Sequence, residues 1–215
     1  MPRRIDPALI PASPNLDFEQ ALWASGLRHL AGIDEAGRGA LAGPVYAGAV
    51  ILPNQADLLN ELDGVRDSKE MKPTERELWS AQIKRRALAW AVGSASADEI
   101  DEVGIMPATR LAALRAVAKL VPRPEHLLVD ALKFEESPLP QTMLWKGDAR
   151  SLSIAAASVL AKVARDAKLV RLHDLFPDYG FARHKGYATA AHREAIRVLG
   201  PCEQHRHSFA PMRPA

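Results

Sequence analysis

Before residue 100 the apolar residues of this chain fall into short blocks, and after it they recur at helical spacing. Residues 29–34 (HLAGID) and 45–52 (VYAGAVIL) are apolar runs of strand length on either side of a glycine-rich stretch, and residues 87–96 (ALAWAVGSAS) form a third. Their closeness in sequence predicts an antiparallel meander. A short helix is expected over residues 17–25, stopped at Gly26. Residues 108–120 carry a helical period with Leu111, Leu114, Val117 and Ala118 on one face, and Pro122 and Pro124 end it. Residues 127–129 and 142–145 read as two more short strands. A long helix is expected over residues 151–173, with Ala156, Leu160, Val163, Ala167 and Val170 as its inner stripe. The small residues Ala155, Ala156 and Ala157 would let it lie close against a sheet. A last helix over residues 189–199 stops at Gly200-Pro201. Three antiparallel strands followed by helix–strand–helix units predict an α/β fold, a mixed central sheet flanked by helices with a C-terminal helical extension. The first 16 residues, with prolines at 2, 7, 11 and 14, read as an irregular arm, and residues 17–215 as one domain.

Composition narrows the class. With 215 residues, 47% apolar and 25% charged, the chain is expected to fold around a real core rather than stay disordered. No apolar run approaches the ~18 residues of a membrane span. The N-terminus has two arginines but no apolar signal-peptide core, so the cytoplasm is the expected compartment. A single cysteine, Cys202, excludes an intramolecular disulfide and a multi-cysteine zinc site, and reads as an ordinary packed thiol. His205 and His207, with no cysteine at zinc spacing, read as structural. The net charge of +2 hides an asymmetry: residues 1–145 carry a balance of −4 and residues 146–215 one of +6. A basic C-terminal third suits a polyanionic partner.

The oddest residues are acids inside apolar strands. Asp34 and Glu35 follow Leu30-Ala31-Gly32-Ile33 directly, Asp130 closes Leu127-Leu128-Val129, and Asp148 precedes the long helix. Burying a carboxylate costs on the order of several kcal/mol unless a paired Arg or Lys, or a divalent cation, compensates it. The residue types alone leave a metal site and simple turn or cap roles both open. Gly37-Arg38-Gly39-Ala40-Leu41-Ala42-Gly43 has the wrong spacing for a dinucleotide loop, Pro44 blocks the helix that should follow, and no Gly-Lys-Ser/Thr exists to make a P-loop. What remains is a glycine-bracketed arginine whose backbone can approach a phosphate or sugar closely.

These segments resemble one family. Gly32-Ile33-Asp34-Glu35-Ala36-Gly37-Arg38-Gly39 with Leu41-Ala42-Gly43-Pro44-Val45 resembles the opening motif of ribonuclease HII, and Asp67-Ser68-Lys69 its DSK element. Val129-Asp130-Ala131 and Lys146-Gly147-Asp148, with the helix from Ser153 to Asp166, resemble its third and fourth acidic sites. Tyr179-Gly180-Phe181, His184-Lys185-Gly186-Tyr187, Thr189, His192 and His207-Ser208-Phe209 resemble its late blocks. The matches run in order from about residue 30 to 210. Ala40 stands where proline is common, and Glu70 where a lysine is common. The sister type, ribonuclease HIII, carries Gly-Thr-Gly instead of the triplet with Arg38, and usually an added N-terminal domain; only about 30 residues precede Asp34 here.

The resemblance implies a ribonuclease H-like fold and an endonuclease that hydrolyses the RNA strand of RNA–DNA hybrids and cuts 5′ of single ribonucleotides in duplex DNA. It implies Asp34, Glu35, Asp130 and Asp148 as ligands of two Mg²⁺ or Mn²⁺ ions, and contacts from Gly37, Arg38 and Gly39 to the 2′-hydroxyl and from Tyr187 to the neighbouring deoxyribose. Lys69, Lys146, Arg183, His184 and Lys185 are candidate phosphate contacts, although surface lysines are usually just solvated and a tyrosine is often a half-buried core aromatic. A monomer acting on RNA–DNA hybrids and ribonucleotide-containing DNA is expected. The rival readings are a DNA-acting nuclease of the same superfold and a non-catalytic hybrid-binding protein.

Overall fold

The computed structural model of the chain describes residue 6, residues 10–210 and residue 212. Helix α1 (Asp17–Ala24) leads into strand β1 (Leu30–Ala36), which with β2 (Val45–Ile51) and β3 (Ala89–Ala95) forms the expected antiparallel meander. Between β2 and β3 lie a short α2 (Leu58–Glu61) and α3 (Pro73–Arg86). Helices α4 (Ala97–Val103) and α5 (Ile105–Val117) follow, then β4 (His126–Asp130), β5 (Gln141–Leu144), the long α6 (Leu152–Leu175), a one-turn α7 (Phe181–His184) and α8 (Ala190–Leu199). The five strands lie in the order β3-β2-β1-β4-β5, with β4 and β5 parallel to β1, so the sheet is mixed.

Each face of the sheet buries its own apolar cluster. Ala31, Ile33, Val45, Ala47, Leu127 and Val129 pack with Ala108, Ala112 and Ala116 of α5. Leu30, Val50 and Leu52 pack on the other face with Ala155, Ala156, Val159 and Leu160 of α6 and Ile83 of α3. Helix α6 lies almost on the backbone of the sheet: a Cβ placed on Gly32 would sit 2.2 Å from the Ser153 carbonyl carbon. That approach is what the run of small residues at the start of α6 was expected to permit. The N-terminus of the helix is anchored by buried Glu19 of α1, whose Oε1 accepts hydrogen bonds from Ser151 Oγ (2.7 Å), Ser153 N (3.0 Å) and Ser153 Oγ (2.6 Å). A carboxylate at the positive end of the helix dipole is favourably placed.

Two expectations need correction. The inner stripe of α6 holds for Ala156 and Leu160, but further along Arg165, Leu169 and Leu172 face inward, while Ala167 and Val170 are exposed and Val163 is only partly covered. The buried face of α5 is Ala108, Thr109, Ala112, Ala113 and Ala116; Leu111, Leu114 and Val117 flank it and Ala118 is exposed. Small residues face the sheet because the helix must pass close to it. In the N-terminal arm, residues 1–5 and 7–9 lie outside the described residues, but its end is built into the fold. Leu152 N donates to the Asn15 carbonyl (2.8 Å), and Leu16 is buried.

The contact between Gly32 and α6 has a measurable consequence. Gly32→Ala forces helix and sheet apart and is expected to lower unfolding stability in urea by about 3 kcal/mol. Gly39→Ala, where an added Cβ meets nothing, is expected to leave stability within about 0.5 kcal/mol.

Candidate functional site

The register of the sheet brings the acids together. Parallel pairing of β1 and β4 sets Ile33 beside Val129, so the next residues, Asp34 and Asp130, stand side by side on neighbouring strands. Alternation turns Gly32, and with it Asp34, toward α6, and Leu128, and with it Asp130, to the same side. Asp148 arrives from a single 3-10 turn (Gly147–Ala149) just ahead of α6. That turn is tied to β4 by a hydrogen bond from Gly147 N to Asp130 Oδ1 of 2.7 Å.

Asp34 is 3% exposed. Its Oδ1 accepts from Glu35 N at 2.7 Å, while its Oδ2 is buried with no hydrogen-bond partner. Burial, then repulsion from Glu35, Asp130 and Asp148, holds its carboxyl well above the usual range. Burial also raises Glu35, against the pull of Arg38, whose Nη1 lies 2.8 Å from its Oε1. Asp130 is pushed up to about 6, chiefly by burial. Burial and then repulsion from Asp67 raise Asp148. Lys69 is the cation in their midst, with Nζ 3.3 Å from Asp148 Oδ2 and 3.5 Å from Asp67 Oδ1. Burial works against its charge, but Asp34, Asp148 and Asp67 overcome it and raise its pKa. Among the described residues no three acidic, histidine or cysteine groups already surround one point.

A cleft of about 730 Å³ opens beside this cluster, lined by Glu35, Gly37, Arg38, Gly39, Lys69, Asp130 and Tyr187. It runs into two further clefts. One, shared through Lys69 and Asp130, includes Asp148, Trp145 and Lys146; the other, shared through Arg76, Lys162 and Tyr187, includes Arg183 and Lys185. The three together make a continuous groove with the acids near its middle.

Tyr187 is half-buried, its ring centroid 5.1 Å from the Arg165 guanidinium carbon and 5.4 Å from Lys162 Nζ. It therefore belongs to the groove wall and not to either apolar cluster of the sheet. His184 departs from its assignment as a phosphate contact. It is buried, its Nε2 lies 2.7 Å from the Tyr179 carbonyl, and its Nδ1 accepts from Gly186 N at 3.2 Å, so neither ring nitrogen is free for a ligand. Lys185 Nζ donates to the Ala182 carbonyl. Arg183 and Lys146 are exposed.

Sequence reasoning missed three residues of this site. Asp67, noted only within its motif, shares Lys69 Nζ with Asp148 and its negative charge helps raise the Asp148 carboxyl. Arg165 and Arg206 are both fully buried. Arg165 donates to the carbonyls of Pro44 (3.1 Å), Lys185 (2.9 Å) and Ala42 (3.2 Å). Arg206 donates to those of Gly43 (3.0 Å), Arg38 (2.9 Å) and Gly37 (2.8 Å). Together they brace the glycine loop from beneath. Gly37, at φ 92°, has no room for a side chain, because a Cβ would lie 1.8 Å from Arg165 Nε. The available signal for Arg165 was a charge lying off the expected stripe of α6.

Acidic residues collected at the ends of the central strands of a mixed sheet, beneath a basic groove, define a nuclease of the ribonuclease H-like class. The ribonuclease HII family model matches residues 31–212. Ribonuclease HII of Geobacillus kaustophilus (strain HTA426) is 56% identical over 196 residues, covering 91% of this chain and 74% of that protein. Ribonuclease HII of Roseiflexus castenholzii (strain DSM 13941 / HLO8) is 52% identical over 200 residues, covering 93% and 89%. Among solved structures, the RNase HII of Archaeoglobus fulgidus, determined in a complex with PCNA, superposes with a TM-score of 0.72 at 27% identity, covering 87% of this chain and 98% of that one. The chain belongs to the ribonuclease HII family and is an endoribonuclease. Family membership implies hydrolysis of RNA in RNA–DNA hybrids. None of the helices among the described residues is long and apolar enough to cross a membrane.

The raised acids set a pH dependence. Asp130 has an ordinary pKa of 3.8 and a folded value of about 6, so the folded state keeps a proton that the unfolded chain has lost. Its contribution to stability is present below pH 4 and is lost as pH rises through about 6. Asp130→Asn, which can still accept from Gly147 N, is expected to melt about 2–4 °C above wild type at pH 7.5 without divalent ions. The gap should close by pH 4, and a gap independent of pH, followed by calorimetry, would contradict the assignment of strain to this carboxylate.

Proposed function

We propose that the chain cuts the RNA strand of hybrids and, in duplex DNA, the phosphodiester on the 5′ side of a single embedded ribonucleotide, leaving 3′-hydroxyl and 5′-phosphate ends. It would serve to remove ribonucleotides from DNA during repair and replication, as a monomer in the cytoplasm. In this reading Asp34, Glu35, Asp130 and Asp148 hold two divalent ions, Mg²⁺ or Mn²⁺. The supporting observation is the buried, unpartnered Oδ2 of Asp34, amid carboxylates that burial and mutual repulsion leave short of positive charge. The donor set suits hard cations: it is all oxygen, with no sulfur or imidazole at the centre. When bound, the ions supply a water nucleophile and stabilise the departing ribose oxygen.

The chain's own residues do the rest. Asp34, Asp130 and Asp148 are fixed by strand register and by the turn at Gly147, so the reacting phosphate meets a preset arrangement. Lys69 offers a cation that can follow either the carboxylates or a phosphate oxygen. The backbone of Gly37, Arg38 and Gly39 forms the cleft wall where the 2′-hydroxyl, the one group separating RNA from DNA, is read. Tyr187 places an aromatic face along the groove for the neighbouring deoxyribose, and Lys146, Arg183 and Lys185 lie along the flanking clefts where phosphates would run.

A duplex of DNA with one internal ribonucleotide, incubated with Mg²⁺ or Mn²⁺, is expected to be cut at the DNA–RNA junction. Cleavage of an all-DNA duplex, or only of runs of several ribonucleotides, would overturn the reading. Asp34→Asn should abolish cleavage while leaving the fold intact, and near-normal turnover would remove the metal assignment. Tyr187→Ala should reduce the single-turnover rate on the order of 100-fold with little change in melting temperature, and Tyr187→Phe should reduce it less. A Tyr187→Ala protein that melts far lower yet keeps a normal rate per folded molecule would make the ring a core residue instead.

A further inference from the structure

The glycine loop is gripped from below by a segment far away in sequence, and the grip determines which way its N–H groups point. A trans peptide is planar, with its carbonyl and N–H antiparallel. The Gly37 carbonyl shares a peptide plane with Arg38 N–H, and the Arg38 carbonyl shares one with Gly39 N–H. Arg206 holds both carbonyls, at 2.8 and 2.9 Å, and its Nε takes that of Gly43. The N–H groups of Arg38 and Gly39 are thereby turned away from Arg206, and within the described residues neither is used as a backbone hydrogen-bond donor. A buried, rigid fork that donates through three nitrogens suits this task in a way a point charge does not.

Arg206 is itself held in register. Its N–H donates to the Leu41 carbonyl (2.9 Å), and Gly43 N donates to the Gln204 carbonyl (2.7 Å). Beyond it, Asp101 of α4 accepts from His207 N (2.7 Å), Ser208 N (2.9 Å) and Ser208 Oγ (2.6 Å). The carboxylate of Asp101 thus pins the turn that carries Arg206, although neither Asp101 nor Arg206 lines the cleft.

We propose that Asp101 and Arg206 are positioning residues for sugar discrimination: Asp101 anchors the C-terminal turn, and Arg206 aims the Arg38 and Gly39 N–H groups at the ribose 2′-hydroxyl. This rests on the reading above that the loop meets that hydroxyl. Affinity for two duplexes of the same sequence, one all DNA and one with a single ribonucleotide, separates positioning from mere stability. It is read by fluorescence anisotropy without divalent ions, alongside melting temperature and, with Mg²⁺, kcat and KM. Wild type should prefer the ribonucleotide duplex. Arg206→Lys should shrink that preference about tenfold and lower kcat, with affinity for all-DNA duplex unchanged. Asp101→Ala should shrink it about threefold, and Asp101→Asn, which keeps an acceptor oxygen, should recover part of the loss. A wild type without preference overturns the ribose-reading assignment and the proposal with it. A preference that survives undiminished in folded Arg206→Lys and Asp101→Ala overturns the latch alone. If Arg206→Lys does not fold, the α4 variant Asp101→Ala decides the matter by the same ratio.

Discussion

Everything in this structure is arranged around carboxylates that repel one another and are denied water. Asp34, Glu35, Asp130 and Asp148 all sit above their ordinary protonation range, and burial is the first cause for each. A flexible loop would relieve such a cluster by moving apart. Here it cannot, because Asp34 and Asp130 are set by the β1–β4 register and Asp148 by a turn locked to β4 and to α6. The bare backbone at Gly32 holds α6 against β1, and Glu19 fixes the start of the same helix. The two apolar clusters on either face of the sheet offset the unfavourable electrostatics. Stability is thus spent on geometry, which is the trade expected of a site that must present charge in one place.

The opposite problem is solved next door. Arg165 and Arg206 are buried cations whose six guanidinium nitrogens each donate to a backbone carbonyl. Burial lowers the pKa of both, and proximity to Arg165 lowers Arg206 further. A carboxylate partner would satisfy the charge more directly, but it would leave the loop carbonyls without donors. Using guanidinium forks as scaffolding converts a flexible glycine segment into a fixed surface. The two devices meet where Arg38 pairs with Glu35 across the cleft wall.

The sequence made the sheet legible because strand signals are local: short apolar runs of strand length, a glycine stretch between the first two, and acids at the ends. The acids stood out for the same reason, since a charge inside an apolar strand breaks its own pattern. What stayed hidden depends on neighbours. Helix α3 buries only Arg76, Ser80 and Ile83 on its inner face, so it shows no apolar stripe. Helix α4 is marked by a capping box, Ser96 with Glu99, and not by any apolar stripe. In α5 and the second half of α6, leucine and valine positions suggested faces that the close approach to glycine-lined strands and the need for Arg165 displaced. Arg206 and Asp101 could not be singled out at all, because their importance lies in contacts that cross more than 100 residues of chain.

The histidines complete the picture of how a basic groove can rest on a buried polar base. Cys202 N donates to His205 Nδ1 at 2.9 Å, which leaves the proton on His205 Nε2 to be given to His192 Nε2, 3.1 Å away. His192 Nδ1 then carries the proton donated to the Tyr187 carbonyl at 3.0 Å. Each ring is neutral in this chain, and burial holds His192 and His205 down at about 4. Beyond burial, a cationic imidazole there would repel its neighbours, since His184 lowers His192, and His192 and His184 lower His205. His184, stacked on His192 at 4.2 Å, is lowered by burial as well. The wall that carries Tyr187 therefore rests on His192 and His205 rings that stay neutral at neutral pH. Across the cleft from that wall stands Asp130, whose carboxyl burial pushes up to about 6.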